Sequence, residues 1–323
     1  MSASLAGLDC GELHVLQAVL YETNFSRIHL GRDPETHEQI VVELLRDDLP
    51  DDVTAEYTVR FIREARNLQS LEHPNLIEFH SQGLSDGLPW IATKYVPFGT
   101  LRENMVPYSS GWERFLELAE QMASAIDYLH AEGVVHRDIK PENVLIDDGW
   151  RVRICDLGLC RREDDDGSLT RLLPAAGTLD YLAPELRRRN SQAKASAATD
   201  IYSFAVVLYE IYTGGQLPCG LLEIRNTSAR ETFEKALSPN PDARFKTCAS
   251  LVKRLSKVTE NARWFYRLRV WIAAGILIAG SLVFCGVIND GPHVTSTTGY
   301  VADRVMWFFL GAIGLRLVRE IRS

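Results

Sequence analysis

Between residues 13 and 100 the apolar positions fall in short runs separated by turn-forming residues, the pattern of strands in a small sheet. Val53–Leu71 breaks that pattern. Tyr57, Phe61, Ala65, Leu68 and Leu71 recur at three- and four-residue spacing, which predicts one amphipathic helix among the strands. From Leu101 the period is mainly helical. Trp112–His130 sets Phe115, Leu118, Ala119, Met122, Ala125, Ile126 and Leu129 along one side. Asp200–Tyr212 (DIYSFAVVLYEIY) is apolar nearly all round, as a helix at the centre of a domain would be. The pattern changes again near the end. Val270–Ile288 runs for 19 residues without a charge, and as a helix it would extend about 28 Å, close to a bilayer core. A second, shorter apolar run, Val305–Leu315, follows.

Charge and aromatic residues sharpen the reading of that end. Trp264, Tyr266 and Trp271 flank the first run, where an interfacial aromatic belt is expected. Lys253, Arg254, Lys257, Arg263, Arg267 and Arg269 precede it, and Arg316, Arg319 and Arg322 close the second run. The connection Asn289–Arg304 holds one Arg and two Asp. The positive-inside tendency then places both ends in the cytoplasm and the connection outside. The expectation is a basic juxtamembrane linker over 258–269, a transmembrane helix over 270–288, and a second pass or an interfacial helix over 305–318. Two passes are favoured over one. No apolar stretch at the N-terminus suggests a secretory signal.

The chain has 323 residues and is 46% apolar, enough for a two-part domain with a sizeable core. Its net charge of −8 argues against a nucleic-acid partner, which needs clustered cations. The six cysteines form no CxxC pair and have no zinc-like spacing with histidine, so reduced thiols are expected.

The chemistry-bearing motifs lie in the helical part. His136–Asn143 reads HRDIKPEN, Asp156-Leu157-Gly158 follows thirteen residues on, and Gly177–Glu185 reads GTLDYLAPE. With these, residues 13–257 resemble the eukaryotic-type serine/threonine protein kinases, in the form carried by bacterial membrane-bound members. The resemblance implies an α+β, two-lobed protein-kinase fold. A small β-rich N-lobe would span about 13–97 and a mainly helical C-lobe about 98–257, facing the cytoplasm at a bacterial inner membrane. It implies Mg-ATP as cofactor and a protein substrate or signalling partner. Asp138 is placed like the base that takes the substrate hydroxyl's proton, and Lys140 like the cation that offsets charge on the transferred phosphoryl group. Asn143 and Asp156 are placed as hard oxygen ligands for Mg²⁺. Asp200 resembles the helix-borne Asp that holds the catalytic loop, and Arg244 the partner of Glu185. Between α-helical Asp200–Tyr212 and Arg244, the helix and loop usual in the family look shortened.

The upper lobe departs from the pattern. The three glycine positions of the phosphate-binding loop hold Tyr21, Thr23 and Ser26, whose backbones approach a phosphate less freely than glycine. The position of the ATP-binding lysine holds Glu43, and no lysine precedes Lys94. Glu64 matches the helix Glu that the lysine would pair with, so Glu43 and Glu64 are expected to face each other. Two close carboxylates disfavour joint ionisation. The helix swings out, a proton is shared, or a cation bridges them, with Arg27, Arg60 and Arg63 as candidates. Thr93 is the expected gatekeeper of the adenine pocket, and Ile28 and Val41 its walls. In the activation segment Arg137 is placed to pair with a loop phosphate, on Ser168 or Thr170, or with Asp164–Asp166 instead. Thr178 is placed near the substrate hydroxyl. Two functions follow. One is a membrane-anchored serine/threonine kinase with an altered ATP grip. The other is a pseudokinase that acts as a binding module.

Overall fold

The computed structural model describes residues 15–109, 111–157, 161–162, 178–187, 195–215, 217–218, 224 and 226–258. The expected membrane segments 270–288 and 305–318, the linker after residue 258, and Ser168 and Thr170 lie outside them. Among the described residues no helix is long and apolar enough to cross a membrane. The chain divides into two compact units, Met1–Ser256 and Lys257–Ser323, and the described residues fall almost entirely in the first.

The N-terminal part is a five-stranded antiparallel sheet with one helix, as the short apolar runs predict. Strands β1 (Val15–Glu22), β2 (Ser26–Arg32), β3 (Gln39–Leu45), β4 (Phe79–Ser85) and β5 (Leu88–Lys94) lie in the order β1-β2-β3-β5-β4. On β3, alternation sends Ile40, Val42 and Leu44 into a core with Trp90 and Ala92. Val41 and Glu43 therefore share the opposite face. Gly83 pairs with Trp90 across the β4–β5 ladder. A Cβ at Gly83 would stand 2.6 Å from the indole, so a side chain there excludes the tryptophan. Helix α1 (Asp51–Ser70) starts directly after Pro50 and carries Asp51 and Asp52 in its first turn, where they favour the helix dipole. It is two residues longer at its start than the periodicity indicates, and it buries Phe61, Ala65 and Leu68.

The C-terminal part is built on α3 (Trp112–Ala131) and α4 (Ala197–Thr213), with α2 (Met105–Ser109), α5 (Thr227–Ala236) and α6 (248–258) around them. Every residue assigned to the apolar side of α3 is buried. Helix α4 is buried on all sides from Thr199 to Ile211, capped at its start by the Ser196–Thr199 box and at its end by Gly214 in the left-handed conformation. Among the described residues α5 is the next helix after α4; most of the segment between them, where the shortening is expected, lies outside the described residues. Short strands β6 (Val134–Val135), β7 (Val144–Ile146), β8 (Val152–Ile154) and β9 (Arg161–Arg162) frame the catalytic loop.

The two parts are joined by the segment after α1. The Glu72 amide donates to the Tyr128 hydroxyl at 3.2 Å. The Ile77 amide donates to the Ile154 carbonyl at 2.8 Å, and the Ile154 amide to the Asn75 carbonyl at 2.9 Å. These bonds fix α1, and so Glu64, above the residues that follow β8.

Candidate active site

The loop between β6 and β7 is organised by one buried carboxylate. Asp200, on α4, accepts from the backbone amides of His136 and Arg137 and from the His130 ring, each at 2.8 Å. Burial opposes its ionisation, but the histidine and amide donors outweigh burial and hold its pKa below the ordinary value. Arg137 is thereby kept at φ +74°, and Asp156 sits at φ +62°. Left-handed non-glycine residues cost about 1–3 kcal/mol each and persist where the surroundings over-determine them. Both occur at this site.

Within the loop, Lys140 Nζ donates to Asp138 Oδ2 at 2.6 Å. The Asn143 amide nitrogen donates to the Asp138 carbonyl at 2.8 Å and to Oδ2 at 2.9 Å. The other carboxylate oxygen of Asp138, Oδ1, is buried without a hydrogen-bond partner. Burial works against the charge on Lys140, yet the Asp138 carboxylate prevails and raises its pKa. Across from the loop, Arg244 forms a bidentate pair with Glu185, 2.7 Å on each arm, and donates further to the carbonyls of Ala198 and Ser238. Thr178 opens a 3-10 turn, Thr178–Asp180.

The upper wall is different in kind. Val41 pairs with Thr93 across β3 and β5, and Ile28 lies opposite Glu43 across β2 and β3. These four residues thus line adjoining strands, all half-buried. Ser26 Oγ donates to Glu43 Oε1 at 2.6 Å, a diagonal contact between neighbouring strands. Glu64 feels the negative charge of Glu43 and Asp156, and the Leu157 backbone amide acts in the opposite direction. Burial, and then these charges, push its pKa well above the ordinary range. Glu43 is pushed up to about 7, chiefly by burial and further by Asp156, against the opposing Ser26 hydrogen bond. Glu64 thus lies close enough to the cleft for the charges of Glu43 and Asp156 to bear on it. Arg27 does not bridge Glu43 and Glu64. It pairs with Glu22 at 3.3 Å and Asp47 at 3.1 Å on the outside of the sheet. The side chains of Arg60 and Arg63 lie outside the description.

The hairpin that should cradle phosphate is closed on itself. Thr23 Oγ1 accepts from the amides of Phe25 at 3.0 Å and Ser26 at 2.7 Å, and also lies 2.9 Å from Ser26 Oγ. The Phe25 ring stacks on Tyr57 of α1 with centroids 3.9 Å apart. The exposed Tyr21 faces the cleft: burial of its hydroxyl and the charges of Glu43 and Asp156 raise its pKa.

The catalytic loop, its Asp200 anchor and the Arg244–Glu185 pair are those of a phosphotransferase lower lobe, and comparison agrees. The family model for protein tyrosine and serine/threonine kinases matches residues 15–267. This chain belongs to that family. Among its curated relatives are serine/threonine-protein kinase PknB of Mycobacterium leprae, 32% identical over 72% of this chain, and PknB of Mycobacterium tuberculosis, 33% identical over 72%. PrkC of Bacillus subtilis is 33% identical over 58% of the chain. The chain spans 41% of the length of the two PknB proteins and 28% of PrkC.

Several kinase-family side chains in this site carry no motif signal of their own. In the sequence Thr23 shows only as a residue at a glycine position, yet its hydroxyl ties the hairpin. His130 had nothing to distinguish it from other helical histidines. The cluster around Arg102 was also missed. One signal for it exists: apart from Asp200 near its start, Glu210 is the one carboxylate in a helix that is apolar nearly all round, and a buried charge there needs a partner.

Proposed function

We propose that the chain is a membrane-anchored serine/threonine protein kinase that uses Mg-ATP through an altered phosphate grip. The observation that carries this reading is the Asp138–Lys140–Asn143 arrangement. It leaves one buried Asp138 oxygen unpartnered, which suits a base awaiting a substrate hydroxyl. Asp138 would accept that proton while Lys140, held charged by the same carboxylate, offsets charge on the phosphoryl group.

The residues fit a hard cation. Asn143 commits its amide nitrogen to Asp138, which leaves its carbonyl oxygen available, and Asp156 faces solvent. Among the described residues no group of three or more His, Cys, Asp or Glu could hold a metal alone. Asn143 and Asp156 would therefore share Mg²⁺ with the triphosphate oxygens, as that ion commonly requires. When bound, Mg²⁺ neutralises triphosphate charge. Ile28, Val41 and Thr93 would wall the adenine.

A second reading, a pseudokinase that acts as a binding module, is favoured by the hairpin: the Phe25 and Ser26 amides that a phosphate would need are taken by Thr23. One experiment separates the two. Mg-ATP binding and phosphorylation of a serine/threonine peptide library are measured for wild type, Glu43→Lys, Asp138→Asn and Asp156→Ala. Glu43 opposes the triphosphate from the cleft wall. A unit-charge contact at ~5 Å and an effective dielectric near 20 is about 3 kcal/mol, so Glu43→Lys raises nucleotide affinity tenfold or more even after screening. Activity that Asp138→Asn abolishes supports the kinase. Mg-dependent ATP binding without turnover in wild type and Glu43→Lys supports the pseudokinase.

A further inference from the structure

Helix α6 has two sides of opposite character. Cys248, Leu251, Val252, Leu255 and Val258 are buried. The start of the helix is pinned to α3, where the Asp127 carboxylate accepts from the Cys248 amide at 2.8 Å and from the Ala249 amide at 2.9 Å. Its exposed positions are Ala249, Lys253, Arg254 and Lys257. Lys253 and Lys257 stand about one turn apart and share a stripe of the helix, with Arg254 beside them. None of the three forms an ion pair among the described residues.

Helix stability does not account for this basic side. Cations in the last turn suit the helix dipole, but like charges four residues apart oppose the helix by a similar small amount. The surrounding sequence is as one-sided. Lys246 adds a fourth exposed cation just before the helix. From Ala243 to Thr259 there is no Asp or Glu, in a chain that has 43 of them and a net charge of −8. Three of the chain's seven lysines lie in that stretch.

The place of this face in the chain points to its partner. Lys257 precedes the charge-free run 270–288 by thirteen residues, which span at most about 45 Å when fully extended. A chain anchored by that run keeps α6 within reach of the headgroups of the same leaflet. The cytoplasmic leaflet is anionic, and each Lys or Arg near its surface favours the bound state about fivefold. A free polyanion meets the field of the whole acidic protein, whereas a leaflet beside the anchor meets one face of it. An apolar protein partner has little to hold here, since Ala249 is the one exposed apolar position of the helix.

We propose that the Lys246, Lys253, Arg254 and Lys257 face of α6 is a docking surface for the anionic lipid headgroups of the membrane that carries the chain. This rests on the membrane anchor of the reading above and is independent of phosphotransfer. The contact is one of charge without insertion, so salt weakens it.

The test uses the full chain, in bilayers of phosphatidylcholine alone or with about one third phosphatidylglycerol. Carbonate washing and flotation of vesicles read the anchor. Brief lysine acetylation in nanodiscs, read residue by residue by mass spectrometry, reads the face. Lys253 and Lys257 react several-fold more slowly in discs with phosphatidylglycerol, high salt removes the difference, and Lys94 on β5 reacts equally in both. Arg254→Glu/Lys257→Glu returns Lys253 to its rate in phosphatidylcholine, and Arg254→Gln/Lys257→Gln serves if the reversal does not fold. Equal rates in both lipids, in a chain that carbonate does not release, overturn the docking surface and leave the anchor. Slowing that Lys94 shares, or that survives high salt, overturns it as well. If carbonate releases the chain, the anchor fails. Salt-sensitive flotation with phosphatidylglycerol vesicles alone, lost in the variant, then leaves the docking surface standing, and no flotation overturns both.

Discussion

Glu43 is the residue where sequence pattern and fold pull hardest against each other. It shares with Val41 the face of β3 opposite the core, and burial beside Asp156 raises its pKa to about 7. A carboxyl raised in the folded state binds more protons there than when unfolded. Its stabilising contribution is complete below the ordinary value of 4.5 and is lost as pH rises to about 7. Glu64 has the same sign. The nucleotide-free protein should therefore lose stability from pH 4.5 to about 7 through this pair, on top of the chain's other titrations. Glu43→Gln should flatten that slope and stabilise the protein at pH 8 by about 1–2 kcal/mol. Chemical denaturation at several pH values checks it, and a parallel slope in wild type and variant would show that the pair does not share the burial described.

The β1–β2 hairpin carries the altered phosphate grip as an element. Thr23 replaces conformational freedom with hydrogen bonds: its hydroxyl takes two amides, and Phe25 is stacked on α1. This ties the hairpin to the same helix that carries Glu64. Thr23→Gly releases the Phe25 and Ser26 amides, and Ser26→Gly leaves Glu43 without its donor. The double variant should bind Mg-ATP several-fold more tightly, since each released amide becomes a phosphate donor. Isothermal titration measures this. Unchanged affinity would place the obstacle at Glu43 or Tyr21 rather than in the hairpin backbone. The helices show the complementary case. Helix α3 was legible to within one residue because a long amphipathic period survives any tertiary detail.

At the scale of the whole chain, two predictions concern what holds it together and where it resides. Arg244 is fully buried and saturates its guanidinium on Glu185, Ala198 and Ser238, with its plane over the Tyr202 ring. Arg244→Ala strands the Glu185 carboxylate and should cost about 3–5 kcal/mol, a fall of roughly 6–12 °C or more in Tm for a domain of this size. Differential scanning calorimetry reads this, and a shift under 2 °C would contradict the pair's role. The second prediction rests on sequence alone. The charge-free run 270–288 should keep the full chain in the membrane fraction through a carbonate wash. Release into the supernatant would refute the anchor.

What the sequence determined by itself was the part of the fold written in local periods and contiguous motifs. The strands around β3, helix α3, the central α4 and the catalytic loop all follow from spacing that needs no partner to be read. The same holds for the Asp138, Lys140 and Asn143 cluster, since eight consecutive residues carry it. What only tertiary structure decided was the pairing of charges between distant segments. The charge of Glu43 bearing on Glu64, Arg27 turning outward to Glu22 and Asp47, and Arg102 reaching Glu142 and Glu210 depend on which strand face and which helix turn come together. The physical reason is range. Local pattern fixes which face a residue lies on, but a buried charge takes whichever counter-charge the packed chain brings within hydrogen-bond reach.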